Sequence, residues 1–208
     1  MAIGLAVWSQ VRIIMHAIHT TAGFVVGSRP YGDAGKILSI FTRDFGLIFA
    51  TAQGIRLEKS KLRYFIQDYS WGVYSFVRGK EYWRLTSAQG MEKVGSEGGG
   101  DRDLVARVAL LLKRFLQGED PHPELFDSLE SSLLNILIID RKDIDRLASL
   151  ESIVVYRVLH LLGYIGKDQD IGEEIRFGGI THDLLDRVSL KRKIINQHIN
   201  KALQESHL

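Results

Sequence analysis

From residue 16 to residue 88 the chain alternates short runs of β-branched and aromatic residues with turn residues, and beyond residue 100 apolar residues recur every three or four positions. The change of period, from about two to about 3.6 residues, predicts strands followed by helices. His19 to Ser28 reads as a first strand, closed by the turn signal Arg29-Pro30-Tyr31-Gly32-Asp33. Lys36 to Thr42 follows, with Ile37, Ser39 and Phe41 on one face and Lys36, Leu38, Ile40 and Thr42 on the other. Apolar residues on both faces predict a strand covered on both sides. Arg43-Asp44-Phe45-Gly46 is a hairpin turn, since Asp44 and Gly46 tolerate positive φ. Leu47 to Ala52, Gln67 to Val77 and Glu81 to Ser87 complete a set of five strands, the last two joined by Arg78-Gly79-Lys80. A closed barrel removes the exposed edges of such a set, and the five-stranded oligonucleotide-binding (OB) barrel is the natural candidate.

The run Gly95-Ser96-Glu97-Gly98-Gly99-Gly100 disfavours regular structure and reads as a linker. A first helix should begin with Asp101 as N-cap and stop at Gly118. A second should start near Pro123, a third should run from about Asp143 to Leu162, and a last should start at Ser189. None buries its apolar stripe alone, so a bundle is expected. The fold class is therefore α+β: a barrel over residues 16–90 and a helical bundle over 101–208. Residues 1–15 are expected to be an extension ahead of the fold, either non-native or loosely packed, with Met15 a candidate start.

Charge sharpens this division. The net charge of +2 conceals 11 Lys and Arg against 5 Asp and Glu in residues 1–90, and 16 against 20 in residues 91–208. A basic barrel beside an acidic bundle suggests that the barrel meets a polyanion. The basic loop Gly54 to Arg63 is the strongest feature, with Arg56, Lys59, Lys61 and Arg63 against the single acid Glu58. Such side chains neutralise phosphates and release counterions; the plain alternative is a solvated loop. Arg29 and Lys36 flank the first turn and can join the same surface. Tyr31 and Tyr64, in or beside polar loops, are candidates for stacking bases. Phe24, Phe41 and Phe49 sit on strand patterns and are expected in the core.

Catalytic motifs fail on inspection. Gly32-Asp33-Ala34-Gly35-Lys36 lacks the first glycine and the hydroxyl residue of a phosphate loop. His122-Pro123-Glu124 has the H-x-E of zinc deaminases, but the chain has no cysteine to complete the site. Thr181-His182-Asp183 reads as a helix start capped by Thr181. Asp140, Asp143 and Asp145 suit a helix start better than a nuclease metal site. Neither a cofactor nor a metal is expected. No apolar run reaches the length of a membrane span, and the absence of cysteine fits a reducing cytoplasm.

The run from Thr21 through Gly27-Ser28-Arg29-Pro30-Tyr31-Gly32-Asp33-Ala34-Gly35-Lys36 to Leu38 resembles the first two strands of the RecO family. The resemblance continues through Phe41-Thr42-Arg43-Asp44-Phe45-Gly46-Leu47-Ile48, Ala52-Gln53-Gly54-Ile55-Arg56 and Lys59-Ser60-Lys61-Leu62-Arg63. Leu161-Leu162-Gly163-Tyr164 is similar to a helix end in that family's helical half. The resemblance implies an OB barrel followed by a helical domain. It implies binding of single- and double-stranded DNA, strand annealing and help in loading recombinase onto DNA coated with single-stranded DNA-binding protein. RecR and that coating protein are the implied partners, and a cytoplasmic, nucleoid-associated location in a bacterium follows. The DNA-binding candidates it implies are Arg29, Lys36, Arg56, Lys59, Lys61 and Arg63. Many members carry a four-cysteine zinc site after the Leu-Gly-Tyr helix end; Ile165 to Ile180 holds none and is expected to be an irregular loop. The competing function is a protein-interaction adaptor that uses the barrel and a helical groove without touching DNA.

Overall fold

The computed structural model describes residues 17–57, 61–64, 66–93, 100–140, 142–166 and 171–206. The expected 1–15 extension lies outside them. Five strands form a closed barrel: β1 (Ile18–Tyr31), β2 (Gly35–Thr42), β3 (Gly46–Ala52), β4 (Ser70–Val77) and β5 (Trp83–Lys93), in the order β1-β2-β3-β5-β4. All pairings are antiparallel except β3 with β5, where Ala50 faces Trp83. That order is the OB topology. β1 pairs with β4 through its first half and with β2 through its second, and Gly23 and Phe24 belong to both ladders. A Cβ on Gly23 would lie 2.9 Å from both Ile40 and Tyr74 inside the barrel, so only glycine lets the strands approach this closely.

Two apolar clusters result. Val25, Leu38, Ile40, Ile48, Tyr74, Phe76 and Trp83 fill the barrel. Phe24, Val26, Phe41, Leu47 and Trp71 point outward, yet they are buried in one cluster with the helices. Phe126 seals that face: its ring lies 5.5 Å from Phe41 and 5.0 Å from Trp71, and Trp71 stacks on Phe24 at 4.7 Å. This confirms that β2 is covered on both sides. Phe24 and Phe41 are core as expected. Phe49 is not: it is 46 % exposed on β3, and among the described residues no aromatic ring packs on it as Phe126 does on Phe41.

The helices are α1 (Gly100–Phe115), α2 (Pro123–Leu134), α3 (Ile144–Leu161), α4 (Glu173–Phe177) and α5 (His182–Glu205). Asp143 caps α3 by accepting from Arg146 N–H at 3.0 Å, and Thr181 caps α5 by accepting from Leu184 N–H at 3.1 Å. The last helix thus starts a full two turns before Ser189, because Leu184, Leu185 and Val188 extend its buried stripe toward the cap. The first begins at Gly100, which places Asp101 inside the opening turn. The 165–180 stretch is not wholly irregular, since α4 lies within it. α3 is central and touches α1, α2, α4 and α5. The segment joining α1 to α2 lies along the barrel: Leu47 N–H donates to Gly118 O at 3.0 Å, and Arg43 grips Asp127 through two bonds of 2.7 and 2.9 Å. Among the described residues, no helix is long and apolar enough to cross a membrane.

Candidate nucleic-acid interface

Phe126 seals one outer face of the barrel. Two clefts flank the β1–β2 turn. The first, of about 350 Å³, is lined by Lys36, Ile55, Arg56, Arg63, Ile66, Gln67, Asp68 and Arg102. Lys36 opens β2 opposite Ala52, with Nζ 3.3 Å from Ser28 Oγ. Arg56 is set by the backbone: its N–H donates to Ala34 O at 3.0 Å, while buried Ile55 anchors the loop in the barrel core. Arg63 rides on a short 3-10 turn, Lys61–Tyr64. Arg102 reaches in from the first turn of α1, its guanidinium 5.4 Å from the Tyr69 ring.

The second cleft, of about 460 Å³, lies between the β1–β2 turn and the β4–β5 loop. Tyr31, Thr51, Gln53, Arg78, Lys80, Tyr82 and Arg84 are among its lining residues, with Glu81 the one acid. The Tyr31 and Tyr82 rings meet edge to face at 6.0 Å. Tyr31 is 47 % exposed, so a base can reach its face.

The cations of the molecule differ in ion pairing. Arg43, Arg107, Arg146, Arg187 and Arg192 each hold a carboxylate, and so does Arg78, at 2.7 Å from Glu119. Among the described residues, Arg29, Lys36, Arg56, Lys80, Arg84 and Arg102 make no ion pair. Charge left unpaired in a concave surface is available to a phosphate.

Of the expected site residues, the structure brings Lys36, Arg56 and Arg63 into one cleft. It sets Tyr31 in the other. Arg29 is exposed on β1 but lines neither. Lys59, and the side chains of Lys61 and Tyr64, lie outside the described residues. Sequence reasoning missed Arg102, Lys80, Tyr82 and Arg84. The Arg78-Gly79-Lys80 signal was present, and the OB strand order is what turns that loop toward Tyr31. No such signal existed for Arg102. Among the described residues no cluster of three His, Asp or Glu is placed to hold a metal ion.

Residues 15–93 match the family model described as Recombination protein O N terminal. The barrel is similar to the N-terminal domain of RecO proteins. Curated relatives extend the likeness into the helices. The DNA repair protein RecO of Desulfitobacterium hafniense (strain DSM 10664 / DCB-2) is 29 % identical over 153 residues, covering 72 % of this chain and 53 % of the relative. That of Ralstonia nicotianae is 33 % identical over 123 residues, 57 % of this chain and 43 % of the relative. That of Dehalococcoides mccartyi is 27 % identical over 155 residues, 74 % and 58 % respectively. The chain spans about half the length of the curated relatives it matches.

Proposed function

We propose that this chain serves DNA repair as a nucleic-acid-binding recombination mediator, and that strands enter through the clefts beside the β1–β2 turn. One observation carries the reading: Lys36, Arg56 and Arg102 converge on a single cleft without an ion pair among the described residues. Arg29, Lys36, Arg56, Lys59, Lys61 and Arg63 would contact phosphates, and Tyr31 and Tyr64 would stack bases. On this reading residues 16–90 form the binding domain and 101–208 a helical bundle that fixes its orientation. The RecO likeness supports the finer parts: binding of both single- and double-stranded DNA, annealing of complementary strands, partnership with RecR and single-stranded DNA-binding protein, loading of recombinase, and a place at the bacterial nucleoid. The protein works by holding strands, not by turning over a substrate.

The test is strand annealing by the purified chain, with and without RecR and single-stranded DNA-binding protein. Accelerated annealing that survives coating of the strands supports the reading; no acceleration and no oligonucleotide binding would refute it. An adaptor reading has one observation in its favour, a groove of about 420 Å³ between α1, α3 and α5 lined by Leu111, Val155, Ile199 and Leu203. Capture of a protein partner by a chain that shifts no oligonucleotide would select it.

A further inference from the structure

We propose that the cleft between the barrel and α1 is a phosphate subsite shared by both halves of the molecule, with Arg102 as the helical half's ligand to a nucleic-acid strand. The inference rests on the nucleic-acid reading above and names a contact that lies outside the barrel.

Three observations carry it. First, the cleft is composite. Lys36 comes from β2, Arg56 and Arg63 from the β3–β4 connection, and Arg102 from α1. Second, Arg102 is held ready. Its guanidinium lies over the Tyr69 ring at 5.4 Å, and such stacking leaves the edge N–H donors free for the paired bonds a phosphate accepts. Tyr69 is itself held in an unusual way. Its φ of 70° is the one positive value at a non-glycine among the described residues, and its N–H donates to Val25 O at 2.8 Å. A left-handed tyrosine costs on the order of 1–3 kcal/mol. Here it sets the ring partly buried against the barrel–helix core, under the arginine. Third, the cleft's acid does not neutralise its cations. Asp68 lines the same wall, yet its buried Oδ1 accepts no hydrogen bond, and no ion pair to Asp68 exists among the described residues. Lys36, Arg56 and Arg102 line the cleft with Asp68 but make no ion pair with it among the described residues. A tetrahedral oxyanion satisfies several such donors at once, which a planar carboxylate in the wall does not.

A strand that fills this subsite touches the barrel and α1 together, so binding would lock the two halves against each other. Lys113 reinforces the same contact, since its ammonium occupies the space over Gly27 on β1 that a side chain would otherwise take.

The experiment measures single-strand affinity by fluorescence anisotropy over a range of salt, for the full chain and for Arg102→Ala, Arg102→Lys and Asp68→Asn, with melting temperatures to verify folding. Arg102→Ala should weaken binding about fivefold near 0.1 M salt and flatten the log–log salt slope by about 0.7, one single-strand phosphate contact. Arg102→Lys keeps the charge but not the fork, so it should retain the slope and lose part of the affinity. Asp68→Asn removes the opposing charge and should tighten binding about two- to threefold. Oligonucleotides with a 5′-phosphate or a 5′-hydroxyl separate the sources: an equal effect on both assigns an internal phosphodiester, and an effect confined to the first assigns a strand end. If the unaltered chain binds and Arg102→Ala matches it in affinity and slope, this inference falls alone. If the unaltered chain binds no oligonucleotide, the nucleic-acid reading falls with it.

Discussion

Arg157 is 3 % exposed in the middle of α3, and among the described residues no carboxylate pairs with it. Its guanidinium donates to Ile175 O at 2.7 Å, to Ser132 Oγ at 2.9 Å, to Glu174 O at 3.2 Å, and to Gly178 O. One cation thus ties α2 and α3 to the short α4 segment. Burial pushes its pKa well below the usual arginine range, to about 10, which corresponds to about 3 kcal/mol of unfavourable charge burial at about 1.4 kcal/mol per pH unit. Four bonds from a charged donor, at the low end of about 1.5 kcal/mol each because one cation is shared, contribute about 6 kcal/mol. Arg157→Met keeps the apolar stem, removes the charge and strands the acceptors. The net loss should be about 3 kcal/mol, or about 6–12 °C in melting temperature for a chain of this size. The cation persists at every pH well below 10, so the loss should be the same at pH 6 and pH 8. Differential scanning calorimetry reads the shift, and hydrogen exchange should show lost protection concentrated in residues 171–180. A melting temperature within about 2 °C of the parent, with unchanged exchange in that segment, would refute the assignment of Arg157 as the tie.

Two further outcomes follow from the contact between barrel and helices. Gly46 has φ of 69°, and a Cβ there would overlap the Asp120 backbone, so Gly46→Ala should cost at least about 2 kcal/mol in a urea titration; an unchanged midpoint would mean that the turn and the α1–α2 connection do not press together. Asp127 is held below the usual carboxylate range chiefly by its hydrogen bond from Arg43. A depressed carboxylate stabilises the fold above its ordinary pKa, and that support is lost as pH falls through the folded value. The melting-temperature gap between the parent and Asp127→Asn should therefore be constant above pH 5 and close toward pH 2. Asp127 is half exposed, so the gap should be on the order of 1–3 °C; a gap that widens in acid would contradict the sign.

The division into strands and helices was legible because period and turn chemistry agree. Lys36 to Thr42 carries apolar residues on both faces, and both are buried. Gly46 takes the positive φ its hairpin needs, while Asp44 does not. Legibility failed where tertiary contact decides. Pro30 and Tyr31 read as turn, yet β1 runs through them to pair with Lys36 and Gly35. Phe49 has the same pattern as Phe41; the ring of Phe126 against Phe41, with no counterpart on Phe49 among the described residues, separates them. The helix start capped by Thr181 was legible and is the start of α5; the separate start at Ser189 failed because the buried stripe of Leu184, Leu185 and Val188 runs on from that cap. The candidate site divides the same way. Lys36, Arg56 and Arg63 were visible as local charge, but Arg102 joins them only because α1 docks on the barrel, and no local pattern encodes a docking angle.

The central claim is that the cations lining the cleft beside Lys36 hold a sugar–phosphate chain. It is tested most directly by the salt dependence of single-strand binding for the parent and for the triple variant Lys36→Ala, Arg56→Ala, Arg63→Ala. Four contacts predict a parent log–log slope of about −3, and loss of three should bring the variant to about −1 with an unchanged melting temperature. Parallel lines of equal affinity would contradict the account.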